Sequence, residues 1–375
     1  MYKYLESNSN SYKKPINNGT IESLGMQWAN KYLQNLDVDF HDGKSSDTQD
    51  LDRVMSQAGR EITAQKLRGS MRNVNLQPWN KTEQLLSEEV KRHRIKPELI
   101  HKWEIAGDSF KIYDKAIDVY TNFAPPRKPS MVVKLTAKQE SLWSGVPLKD
   151  REQLAPNQLT KAISSSLGAL RRKYTEQDPK VIGFVSMQFH FTSQMLLQLL
   201  SHTEQKLLNN YFKVIDDHLY MPLQRAYTAA AKHDCDSLAL SAVQHLLPIS
   251  TDIAKSITQR VVKFYPTYRS YSGNLNHKKV ITSSIRDVEM FQVYLWVCAD
   301  KGNISAIQQE LFPLCLMLYP TLKVSWDIIR QMLHLLGQEI SERLNTEQAN
   351  TLMRYFQVMK AYVFSAKYLA KIIVV

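Results

Sequence analysis

Four histidines near acids, aromatics or a thiol are the residues most able to do chemistry in this chain. His190 sits between Phe189 and Phe191, His202 lies twelve residues on, His218 follows Asp216-Asp217, and His233 precedes Asp234-Cys235. Imidazoles and carboxylates are the groups that a zinc site or a general acid–base pair would use. Adjacent residues of a helix point in different directions around its axis, so Asp216, Asp217 and His218 need a second cluster from elsewhere to close on one ion. His233 and Cys235 are the residue types of an activated thiolate, but no nucleophile turn or oxyanion-hole sequence accompanies them. The 12 glycines are scattered and form no GxGxxG or GxxxxGK[ST] run, which leaves no phosphate-binding loop motif. The expectation is a non-enzymatic protein with no metal and no cofactor.

Charge carries more information than any catalytic motif. The net charge is +12, and it is uneven: residues 1–124 hold 18 basic and 17 acidic side chains, and residues 125–375 hold 30 and 19. An excess of this size favours a polyanionic partner, whether nucleic acid, an acidic protein or an anionic membrane surface. Two segments concentrate it. In Leu159–Tyr174, Leu159, Ile163, Leu167 and Leu170 form one apolar face, while Lys161, Arg171, Arg172 and Lys173 supply cations that could meet phosphates. Basic residues also complement the dipole at a helix C-terminus, so an ordinary solvated face explains the last three equally well. In Arg260–Arg286, the cations Arg260, Lys263, Arg269, Lys278 and Lys279 alternate with Tyr265, Tyr268 and Tyr271. That alternation suits a single-stranded nucleic acid, with cations on the backbone and rings on the bases; the plain alternative is tyrosines packing a loop. Val288–Leu336 has the outline of a helix-turn-helix unit, but its second helix, Ile304–Leu318, holds no basic residue to read base edges. The basic run Lys91–Arg94 follows Glu88-Glu89, which makes it an ordinary helix surface. The leading expectation is therefore a regulatory or adaptor protein binding an anionic partner, nucleic acid first. The alternative is a protein–protein assembly or regulatory factor, with homo-oligomerisation through the final helix as one form of it.

The elements that would position these residues are nearly all helices. Apolar residues recur at three- and four-residue spacing over Glu22–Leu36, Leu51–Leu67, Phe110–Tyr120, Gln158–Tyr174, His202–Leu219, Pro222–Lys232, Leu238–Leu247, Ile253–Tyr265, Val288–Ala299, Ile304–Leu318, Ser325–Leu336 and Thr346–Leu369. Met131–Leu135 is the one short strand candidate, Val181–Phe191 is open between strand and helix, and Pro266–Lys279 reads as a loop. The fold class expected is mainly α: an irregular or orthogonal multi-helix bundle with a flexible N-terminal leader and few or no strands. The expected division is a leader at 1–20, a small mainly helical region at 21–124, a proline-rich linker at 125–130 and a large basic helical domain at 131–375. Three cysteines without a CxxC give no disulfide framework, and no apolar run is long enough to span a bilayer, so the expected setting is the cytoplasm.

Overall fold

The computed structural model of the chain describes residues 18–40, 50, 53–74, 76–122, 156–234 and 236–373. The expected leader, the 125–130 linker, the Met131–Leu135 strand and Cys235 lie wholly or largely outside them. Among the described residues the fold is mainly α-helical, an irregular bundle, as the periodicity predicts.

The first helices are α1 (Asn18–Phe40), α2 (Gln57–Val74), α3 (Gln77–Arg92) and α4 (Lys102–Asn122). They are followed by α5 (Pro156–Thr175), α6 (Val181–Leu197), α7 (His202–Tyr220), α8 (Leu223–Ala230), α9 (Leu238–Leu246) and α10 (Ser250–Phe264). Two-residue strands β1 (Arg269–Ser270) and β2 (Gly273–Asn274) pair antiparallel, and the chain ends with α11 (Lys278–Lys301), α12 (Phe312–Thr321), α13 (Trp326–Arg343) and α14 (Thr346–Ile373).

Local chemistry sets several boundaries. Ser201 caps α7: its Oγ accepts from Glu204 N, and the Glu204 carboxylate accepts from Ser201 N. Asn345 and Gln348 make the same reciprocal exchange at the start of α14, 2.9 and 3.4 Å. Gly302 ends α11 in the left-handed region, φ 68°, which glycine adopts without a Cβ clash. Gly69, by contrast, does not stop α2. The helix runs on to Val74, and a Cβ at Gly69 would meet nothing. Val181–Phe191 is helical, and the expected loop before Lys279 contains the small β1–β2 hairpin.

The core follows from where the apolar stripes meet. Every residue from Val288 to Asp300 of α11 is buried, so this helix is central and is covered on all sides. It packs against α8, α10 and α14, while α1 packs against α5, α7 and α8. Ile304–Leu318, read as one helix, is instead a π-helical turn, Ile307–Leu311, running into α12. Ile307, Leu311, Leu314, Cys315, Met317 and Leu318 are all buried, and the exposed residues of the segment, Gln308 and Gln309, carry no charge for a phosphate. One apolar core extends from Leu24 to Val363.

Candidate functional site

Three polar clusters, two of them buried and the third half-buried, tie the earlier helices to the later ones. In the first, Lys31 of α1 reaches Glu289 of α11 at 2.9 Å and Asp217 of α7 at 3.2 Å. Asp217 also holds Lys213 at 3.0 Å and accepts from Tyr32 Oη at 2.8 Å, and Glu289 accepts from Thr251 at 2.6 Å. Two ammonium groups face two carboxylates, so the cluster is neutral. Burial alone would raise the Asp217 carboxyl; Lys213 and Lys31 overcome it and hold the group far below the usual carboxylate range. Burial pulls Lys31 below the usual lysine range despite its two acids. The Lys31 Nζ also lies 3.6 Å from the centre of the Trp28 ring, which in turn meets Trp296 edge-on.

The second cluster is built on the π turn. An extra residue in that turn swings the following side chains relative to an α-helix, and Glu310 lies within it, buried. Its carboxylate takes the Arg171 guanidinium, the Tyr294 hydroxyl at 2.6 Å and Arg225 at 3.0 Å. Arg171 donates also to the Leu219 carbonyl. In the third cluster, Tyr220 Oη donates to Asp287 Oδ1 at 2.6 Å, and Arg286 lies over the Tyr220 ring. Burial pushes the Asp287 carboxyl up to about 6 against the pull of Tyr220 and Arg286.

The histidines do not converge. His190 faces Asp216 at 3.4 Å. His218 is buried; its Nδ1 lies 2.8 Å from the Val214 carbonyl, which can only accept, so Nε2 accepts from Ser164 at 3.0 Å. Burial drives the His218 pKa down to about 4. His233 donates from Nε2 to the Asp300 carbonyl at 2.7 Å and takes Ser237 on Nδ1 at 2.8 Å, while the Ser237 Oγ caps α9. Among the described residues no group of three or more His, Cys, Asp or Glu could hold a metal ion. Cys298 and Cys315 are buried free thiols whose pKa burial raises.

The basic residues singled out from the sequence are not one surface. Arg171 is buried in the Glu310 cluster and unavailable to a phosphate. Lys173 is held by Asp108 at 2.5 Å and Glu104 at 2.7 Å, and Lys161 faces Glu22 at 3.5 Å. Arg172 is exposed. In the second segment Arg260 bonds Gln338 at 3.1 Å and lies 3.7 Å from Glu339. Tyr268 donates to the Lys323 carbonyl and accepts from Ser325 N at 2.8 Å, and Tyr265 packs on the core. Lys263, Arg269, Tyr271, Lys278 and Lys279 are exposed around the hairpin. Two of the three tyrosines thus hold the loop to the bundle, as the packing alternative has it. Missing from the sequence reading were Lys31, Glu289 and Glu310, whose partners are far away in the chain, and Asp217 was weighed there only as a metal ligand; a charged residue embedded in an apolar run, such as Glu289 beside Val288 and Met290, was the available signal.

Comparison with known proteins adds one finding. Residues 226–362, a little over a third of the chain, match the family model described as Phycobilisome protein. No curated protein and no solved structure matches the chain. The family match overturns nucleic-acid binding as the leading expectation and favours the alternative, protein–protein assembly. No helix of the described residues is long and apolar enough to cross a membrane.

Proposed function

We propose that this chain is a non-catalytic helical protein that assembles with other proteins, in the light-harvesting setting named by the family that its residues 226–362 match. That match is the observation that carries the reading. The matched span runs from α8 to α14 and contains the central helix α11. Each of the three clusters joins it to a residue outside it: Lys31 to Glu289, Arg171 to Glu310, and Tyr220 to Asp287. The phycobilisome-like part is therefore one side of a larger helical body, and the preceding helices are bound into it rather than hung from it. Leu238, Phe264, Tyr271 and Phe364, which lie in or beside the matched span, expose large apolar surface suited to protein contact.

The net charge of +12 favours an acidic protein as partner. The same reading puts the chain in the cytoplasm or stroma. The test is co-sedimentation of the purified full chain with isolated phycobilisomes over a salt series. Saturable association that weakens as salt rises is expected. Absence of association at low salt would overturn the reading.

A further inference from the structure

A second surface lies outside the matched residues, on the N-terminal helices. α2, α3, α4 and α6 leave a pocket whose walls are apolar at Met71, Val74, Pro78 and Ala106. Its atom-free space is about 250 Å³ counted out to the open mouth, but the room inside is narrow, enough for a water-sized group. An occupant thus enters by its tip and leaves its body against the rim.

The polar groups of the pocket say what that tip is. Gln188 lines it and is 1% exposed, and its Oε1 is buried with no hydrogen-bond partner. Its Nε2 makes a long bond, 3.4 Å, to Thr192 Oγ1, whose own proton goes to the Gln188 carbonyl at 2.8 Å. A buried acceptor without a donor costs free energy, and an incoming donor recovers it. The rim says what the body is. Phe110, 39% exposed, lines the mouth, and Trp103, 63% exposed, lies two turns earlier on the same face of α4. Between them Gly107 leaves open space where a Cβ would stand. A flat apolar body fits this rim.

We propose that the pocket is a docking site for a tyrosine of a partner protein, with the phenol hydroxyl donating to Gln188 Oε1 and the ring lying against Phe110. Aromatic anchors seated in a small desolvated pocket are the usual centres of protein interfaces. The partner segment is acidic. Lys102, beside Trp103, is exposed on α4, whereas Glu104 and Asp108 are engaged by Lys173, and Asp108 by Lys111 as well. The inference stands on different residues from the phycobilisome reading and does not depend on it.

The test uses the full chain with 13C-methyl methionine, Met71 being assigned through Met71→Leu. p-Cresol and toluene are titrated in parallel, then two acidic helical peptides that carry one central Tyr or one central Phe. The Met71 signal is expected to move saturably with p-cresol and with the Tyr peptide, each binding about tenfold more tightly than its partner lacking the hydroxyl. Gln188→Met is expected to erase that preference while leaving the remaining methionine signals in place. Equal binding of p-cresol and toluene to the unmodified chain overturns the role of Gln188 without recourse to any variant. Binding of p-cresol with no binding of the Tyr peptide assigns the pocket to a free small phenol and overturns docking. No saturable shift of Met71 overturns the site altogether.

Discussion

Both carboxylate oxygens of Asp300 are buried without a hydrogen-bond partner, and His233 Nε2 stands 3.7 Å from Oδ1, too far to bond. Burial raises this carboxyl to about 7 from 3.8. The folded state therefore keeps a proton that the unfolded chain releases, and stability falls as pH rises from about 4 to about 7. Asp300→Asn removes that loss: the urea midpoint should rise at pH 8, by as much as about 4 kcal/mol in stability, and change little at pH 4. His218 acts with the opposite sign. Its pKa, lowered by burial from 6.5 to about 4, means that the unfolded chain binds the proton first, so stability present above pH 6.5 is lost as pH falls towards 4. His218→Gln should flatten the urea midpoint over that window, an effect of up to about 3 kcal/mol. Arg171→Ala leaves Glu310 buried with only Arg225 and Tyr294, and should cost about 3–5 kcal/mol in denaturant unfolding. Arg171 was legible as a cation in a final helical turn but not as a core residue. Its partners lie 48, 123 and 139 residues away, and no local pattern encodes them.

Helices were the most legible level, because each needs only its own spacing of apolar residues to declare itself. The 3.6-residue stripe gives α5, α7 and α10 to within three residues at both ends and the starts of α13 and α14, and Ser325 caps α13 by accepting from Asp327 N at 3.1 Å. What spacing does not show is a change of helical type. The π turn at Ile307–Leu311 has its two apolar residues four apart, a spacing that an α-helix shows too, so its shift of register leaves no trace in the hydrophobic pattern. Nor does it show which small residue admits a neighbour. At Gly337 of α13 the Phe356 ring of α14 packs on bare backbone: an added Cβ would lie 2.6 Å from Phe356 Cε1. Gly337→Ala should destabilise the fold by about 1–3 kcal/mol despite alanine's better helix propensity, and Phe356→Leu should restore part of it in a double-mutant cycle read by thermal unfolding.

At the scale of the whole molecule the core is continuous across the position of the expected linker. α4 packs on α2, α5 and α6, and α1 is seated between α5 and α7. A protease site introduced at 125–130 and cut in the native state is expected to give two fragments that co-elute on gel filtration. Fragments that separate at low salt would show that the buried ion pairs do not hold the halves together. Charge was legible in amount but not in placement. The excess of basic residues after position 124 is real, yet Lys173 and Arg171 spend theirs on Glu104, Asp108 and Glu310. A composition reading counts such charges as available, which is why it favoured a nucleic acid.

Lys31 and Glu289 are separated by 258 residues. A ribosome adding about 5–20 residues per second takes roughly 13–50 s to cover that distance. For that interval α1 has emerged without the carboxylate that completes its burial, and its apolar face around Leu24, Trp28 and Tyr32 has no finished core to enter. α1 is thus made well before it is secured, and it is a part that a chaperone would have to shield.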